Sequence, residues 1–76
     1  MLTDEKFLQK LGQKIERLSN EKFRTQMDFS AASNIDSRTI RRIIKCEQNP
    51  TIIILRKIAN SLGIELHDLI NVESEG

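Results

Sequence analysis

The apolar residues of this chain return at helical rather than strand intervals. Phe7, Leu8, Leu11, Ile15 and Leu18 recur every three or four positions, the spacing that places side chains on one face of an α-helix. Thr3 stands at an N-cap position, and acidic Asp4 and Glu5 fill the first turn, where they complement the helix dipole. A second segment opens at Thr25, with Asp28 three residues on in a variant of the capping box, and ends near Ser33. Asn34 follows at a turn, and Asn tolerates the left-handed conformation that a tight interhelical turn often requires. The third segment takes Asp36 as its N-cap, with Ile35 and Ile40 in the two positions of a hydrophobic staple. Asn49-Pro50 breaks the pattern, because Pro disfavours helical geometry in the residue before it. Thr51 then caps a fourth segment with the stripe Leu55, Ile58, Ala59 and Leu62 and with Gly63 as its stop. A β-branched strand from Thr51 to Leu55 is the competing reading, but no second strand is available to pair with it. Leu66, Leu69 and Ile70 mark a short fifth helix. The pattern predicts an all-α, compact five-helix fold in one domain over residues 1–72, followed by a frayed acidic tail over 73–76.

Length bounds this picture. Seventy-six residues bury only about 60% of the surface that the unfolded chain exposes, so the core is thin. The longest apolar run, Ile52 to Leu55, is far short of the roughly 20 residues that cross a bilayer, and the charged N-terminus lacks the apolar block of a signal peptide. A cytoplasmic protein with no membrane partner is expected. One cysteine, Cys46, and one histidine, His67, exclude an internal disulfide and a four-ligand metal site, so neither metal nor cofactor is predicted. They are also the sole nucleophile-base pair by type, on different helices and without an orienting third group, and no glycine-rich phosphate loop is present. That argues against an enzyme, and no small-molecule ligand is evident. With nothing to lower its pKa, Cys46 reads as a structural thiol rather than a redox sensor.

Charge changes the picture most. The net charge is only +1, but residues 22–57 carry eight Lys or Arg against three Asp or Glu, and residues 58–76 carry none against four. A middle of +5 and an end of −4 point to a polyanionic partner for the middle. On helix 37–45, Ser37, Arg38, Arg41, Arg42 and Lys45 fall within one sector of roughly 140°, while Ile40, Ile43 and Ile44 cluster opposite. Isoleucines on one side anchor such a helix and present the cations outward. The major groove of double-stranded DNA admits a helix, and the planar Arg fork matches guanine O6 and N7 in a way that the Lys point charge does not. A stripe of this kind also suits an acidic protein partner, which makes an interaction module on the same scaffold the alternative. RNA is a poorer fit, since Phe7, Phe23 and Phe29 are the only aromatics and at least two belong to the core, leaving no stacking platform.

Beyond these patterns, the stretch from Leu11 to Ile70 resembles the helix-turn-helix domain shared by phage repressors such as Cro and lambda repressor and by many small bacterial regulators. The likeness rests on Leu11-Gly12 and Ile15, Thr25-Gln26, "NIDSRTIRRI", Asn49-Pro50, "LRKIANSLGI" and "LHDLI", and it covers about four-fifths of the chain. It implies a sequence-specific transcriptional regulator that binds an inverted-repeat operator as a homodimer. By position, it implies that Ser37, Arg38 and Arg42 read bases, with Arg41 beside them and Lys45 nearer the backbone. Gln26 falls near a phosphate or base edge, and Thr25 and Asn49 are candidate phosphate contacts. Its dimers often use the C-terminal apolar end, here Ile64, Leu66, Leu69, Ile70 and Val72; Ile53, opposite the core stripe of the fourth helix, is the other candidate surface. Three residues depart from the family pattern. Phe23 stands where Gly is usual, Arg24 where a buried apolar residue is usual, and Cys46 where Gly commonly ends the recognition helix. Phe23 is expected to fill the core in place of residue 24, leaving Arg24 outside as one more phosphate contact. Cys46, if left-handed, costs on the order of 1 kcal/mol relative to Gly.

Overall fold

The computed structural model describes residues 2–73, whose regular structure is five α-helices: α1 (Asp4–Lys22), α2 (Gln26–Ser33), α3 (Ser37–Ile44), α4 (Ile52–Leu62) and α5 (Leu66–Ile70). The start signals work as hydrogen bonds. Thr3 Oγ1 accepts from Lys6 N–H at 3.2 Å, Thr25 Oγ1 from Asp28 N–H at 3.1 Å and Thr51 Oγ1 from Ile54 N–H at 3.1 Å, each satisfying a donor that the helix itself leaves unpaired. The cap at Thr51 overturns the strand reading of residues 51–55. Ile52, Ile53 and Ile54 are poor helix formers one by one, but the cap and burial of Leu55, Ile58 and Leu62 outweigh that preference.

The ends of α2, α3 and α4 share one device. Asn34, Cys46 and Gly63 all take left-handed backbone, with φ of 57°, 62° and 72°. After each, the next N–H reaches five residues back: Ile35 to the Ser30 carbonyl at 3.3 Å, Glu47 to that of Arg42 at 2.8 Å and Ile64 to that of Ala59 at 3.1 Å. These closures satisfy carbonyls that the last turn cannot pair. Asn and Gly suit the geometry; Cys46 is held there against its preference.

One core joins all five helices. Leu11 and Ile15 of α1, Phe29 of α2, Ile40 and Ile43 of α3, Leu55 and Ile58 of α4, and Leu69 of α5 are buried together. Phe23 packs against this core and stacks on Phe29 with ring centroids 5.5 Å apart, while Arg24 is exposed. The bulky ring thus takes the place inside that residue 24 gives up. Lys14 of α1 ties down α5, donating from Nζ to the carbonyls of Asp68 and Asn71.

The C-terminal end corrects one expectation. Leu69 is 0% and Val72 1% exposed, so both belong to the chain's own interior and neither is free to meet a partner. Ile64, Leu66 and Ile70 are half-buried against the same core. The thin core of a short chain takes in two of the five apolar residues expected at a dimer surface, Leu69 and Val72. Glu73, expected to begin a frayed tail, accepts from Leu2 N–H at 3.2 Å; the rest of that tail lies outside the described residues.

Candidate nucleic-acid interface

Helix α3 is seated by its apolar side. Ile40 is 0% and Ile43 2% exposed, and burial of one such side chain stabilises by about 1.5–3 kcal/mol. That exceeds the roughly 1 kcal/mol of left-handed strain at Cys46, so the helix end holds. Ile35, buried ahead of the cap, and Ile40 close the staple that sets how the chain approaches α3. In the turn before it, Ser30 Oγ donates to the Ile35 carbonyl while Ile35 N–H donates back to the Ser30 carbonyl. Ser33 Oγ donates to the Phe29 carbonyl at 2.8 Å, so the buried hydroxyl is satisfied inside α2. The two helices are therefore joined by a turn with its polar groups paired.

The polar side of α3 faces solvent. Arg38, Arg41, Arg42 and Lys45 are exposed, and Ser37 is half-buried at the first helical position. Among the described residues none of these four cations makes an ion pair with an acid. Asp36 stands at the cap, where its carboxylate accepts from Arg38 N–H at 2.8 Å through Oδ1 and from the Thr39 hydroxyl at 3.1 Å through Oδ2. The bond from Arg38 N–H, then that from Thr39, holds the Asp36 carboxyl below its ordinary value. The Arg38 charge adds a smaller pull in the same direction. Sequence reasoning used Asp36 as a cap alone. Its exposure at the leading end of α3 emerges from the fold.

The other candidates surround this helix. Thr25 and Gln26 at the start of α2 are exposed and line a shallow cavity of about 200 Å³ with Glu16, Ser19, Asn20 and Ile44. The start of α2 and the end of α3 thus border one depression, although they are distant in sequence. Thr25 Oγ1 is engaged in capping, which leaves its exposed side for an outside partner. Asn49 is exposed in the α3–α4 connection, next to buried Pro50. Arg24, Arg56 and Lys57 are further exposed cations. Among the described residues, the large exposed apolar ones are Met27 at 71%, Ile52 at 59% and Ile53 at 56%. Cys46 and His67 are both exposed, and His67 lies 3.5 Å from the Asp68 carboxylate. Among the described residues no helix is long and apolar enough to cross a membrane.

Comparison with known proteins agrees with this geometry. A family model described as helix-turn-helix matches residues 13–69, which is 57 of the 76 residues. No curated protein and no solved structure matches the chain.

Proposed function

The chain belongs to the Cro/lambda-repressor-like helix-turn-helix family of DNA-binding transcription regulators, and from that premise we propose that it recognises a specific duplex sequence with α3 in the major groove. One observation carries the reading. A short helix, capped at Asp36 and seated on Ile40 and Ile43, holds out Arg38, Arg41, Arg42 and Lys45, none of which is ion-paired among the described residues. Arg38 and Arg42 read base edges through their forks, with Ser37 beside them and Arg41 flanking. Lys45 contacts phosphate nearer the helix end. Gln26 meets a base edge or phosphate from α2, and Thr25, Asn49 and Arg24 contact the backbone.

A single module of this size buries only about 600–1,000 Å² on DNA, so regulatory affinity calls for two copies on an inverted repeat with half-sites one helical turn apart. The exposed pair Ile52 and Ile53 supports a homodimer better than the C-terminal end, where Leu69 and Val72 are buried. The protein acts in the cytoplasm and carries no catalysis in this reading.

The roles are tested by selecting bound duplexes from a random pool and titrating the winners at several salt concentrations. Arg38→Ala relaxes preference at one base position, at a cost of about 1–3 kcal/mol on the best site. Lys45→Ala weakens all sequences alike and lowers the salt slope by about one. Equal losses on every sequence for both variants reject the assignment. A recovered inverted repeat, together with a sedimentation mass that Ile53→Asp halves, supports the dimer; a single half-site bound by a monomer overturns it.

A further inference from the structure

We infer that Asp36 is a specificity-determining residue: its carboxylate, fixed at the leading end of α3, selects an amino-bearing base, cytosine or adenine, beside the base read by Arg38. The inference rests on the groove-binding reading above and adds a residue to it.

Asp36 is exposed, and two hydrogen bonds from its own helix immobilise it, one to each oxygen. A carboxylate has about four lone-pair sites, so each oxygen keeps one for an outside donor. What it lacks is any donor of its own, because an exposed aspartate is ionised at neutral pH, and the bonds from Arg38 N–H and Thr39 hold its pKa lower still.

A recognition helix enters the groove by its N-terminal residues, which brings an N-cap side chain to the base edges. There a fixed anion meets two kinds of surface. Phosphate oxygens, guanine O6 and N7, and thymine O4 are all acceptors and repel it. Cytosine N4 and the N6 amino group of adenine are the only base-edge donors in that groove. The carboxylate is thus favourable opposite one class of base and unfavourable opposite everything else, including non-specific backbone. It also opposes the uniform attraction of Arg38, Arg41, Arg42 and Lys45, which by itself draws α3 to any duplex. Capping alone does not require the charge, since Ser and Asn cap as well as Asp.

Those two residues supply the test. Asp36→Asn keeps the cap through its carbonyl oxygen and turns the amide nitrogen to where Oδ2 stood, putting a donor in place of an acceptor. Asp36→Ser keeps the cap and removes the charge. Random-duplex selection on wild type and both variants is read together with affinity for a fixed random duplex, after far-ultraviolet circular dichroism has matched their helix content. Wild type is expected to recover C or A at one position adjoining the Arg38 base, by about ten-fold over G or T. Asp36→Asn shifts that position toward G or T, Asp36→Ser flattens it, and both bind random duplex several-fold tighter. Identical preferences for all three proteins, with a uniform affinity gain, overturn the inference while leaving groove recognition intact. Failure of wild type to recover any motif overturns the groove-binding reading, and this inference with it.

Discussion

Replacement of Gly12 by Ala tests how α3 is placed. Gly12 lies mid-way along α1, where glycine costs a helix about 1 kcal/mol relative to alanine, so an unhindered exchange stabilises. Here the backbones are too close. A Cβ on Gly12 would stand 2.7 Å from the Ile44 carbonyl oxygen and 3.0 Å from that of Ile43. Carbon and carbonyl oxygen ordinarily approach to about 3.3–3.6 Å, so α3 must retreat by roughly 0.6 Å at its last turn. Backbone carbonyls in a helix cannot rotate aside as a side-chain tip can. Over-packing of this kind costs about 1–3 kcal/mol, which after the gain in helix propensity leaves a net loss centred near 1 kcal/mol. For a domain this small the thermal midpoint falls by about 4–8 °C per kcal/mol. Circular dichroism melts measure that fall, and titration with the selected duplex measures the second effect. Because Arg42 and Lys45 ride on the displaced turn, specific binding weakens more than random-duplex binding. A raised midpoint, as at an ordinary helical glycine, would refute the close approach as the reason for Gly12.

Other outcomes follow from individual contacts. Cys46→Gly removes left-handed strain at φ 62° of roughly 1 kcal/mol and, net of the greater freedom of unfolded glycine, stabilises by about 0.5 kcal/mol; a denaturant midpoint that falls refutes it. Lys14→Met removes the donor to the Asp68 and Asn71 carbonyls, loosens α5 by about 0.5–1 kcal/mol and speeds hydrogen exchange at Leu69 and Val72, which unchanged exchange would contradict. Folding lowers the Asp36 pKa, so its contribution to stability is fully present above the unfolded value of about 3.8 and is lost as pH falls through the lower folded value. The stability gap between wild type and Asp36→Ser therefore narrows in acid below that pH; a gap constant down to acid unfolding counts against the linkage.

Local signals proved sufficient wherever one side chain serves its own backbone. Thr3, Thr25, Asp36 and Thr51 are recognisable caps because a short oxygen-bearing side chain one turn from a helix start reaches the nearest unpaired N–H whatever the rest of the molecule does. Asn34 and Gly63 are legible for the same reason, as residues that tolerate a backbone others avoid. The segregation of Arg38, Arg41, Arg42 and Lys45 from Ile40 and Ile43 needs only the angular period of a helix. The fate of the C-terminal apolar residues was not legible. Leu69 and Val72 carry the same spacing whether they face a partner or the interior, and only the closing of α5 onto α1 and α4 sends them inward.

The sequence by itself therefore determined the five helices, the caps of the first four and the basic side of α3, because each depends on interactions within a few residues of chain. Tertiary structure decided that Gly12 is a backbone contact with α3, that Leu69 and Val72 close inward, and that Ile52 is exposed beside Ile53. Those outcomes depend on which surfaces compete for one small interior, and local periodicity carries no record of that competition.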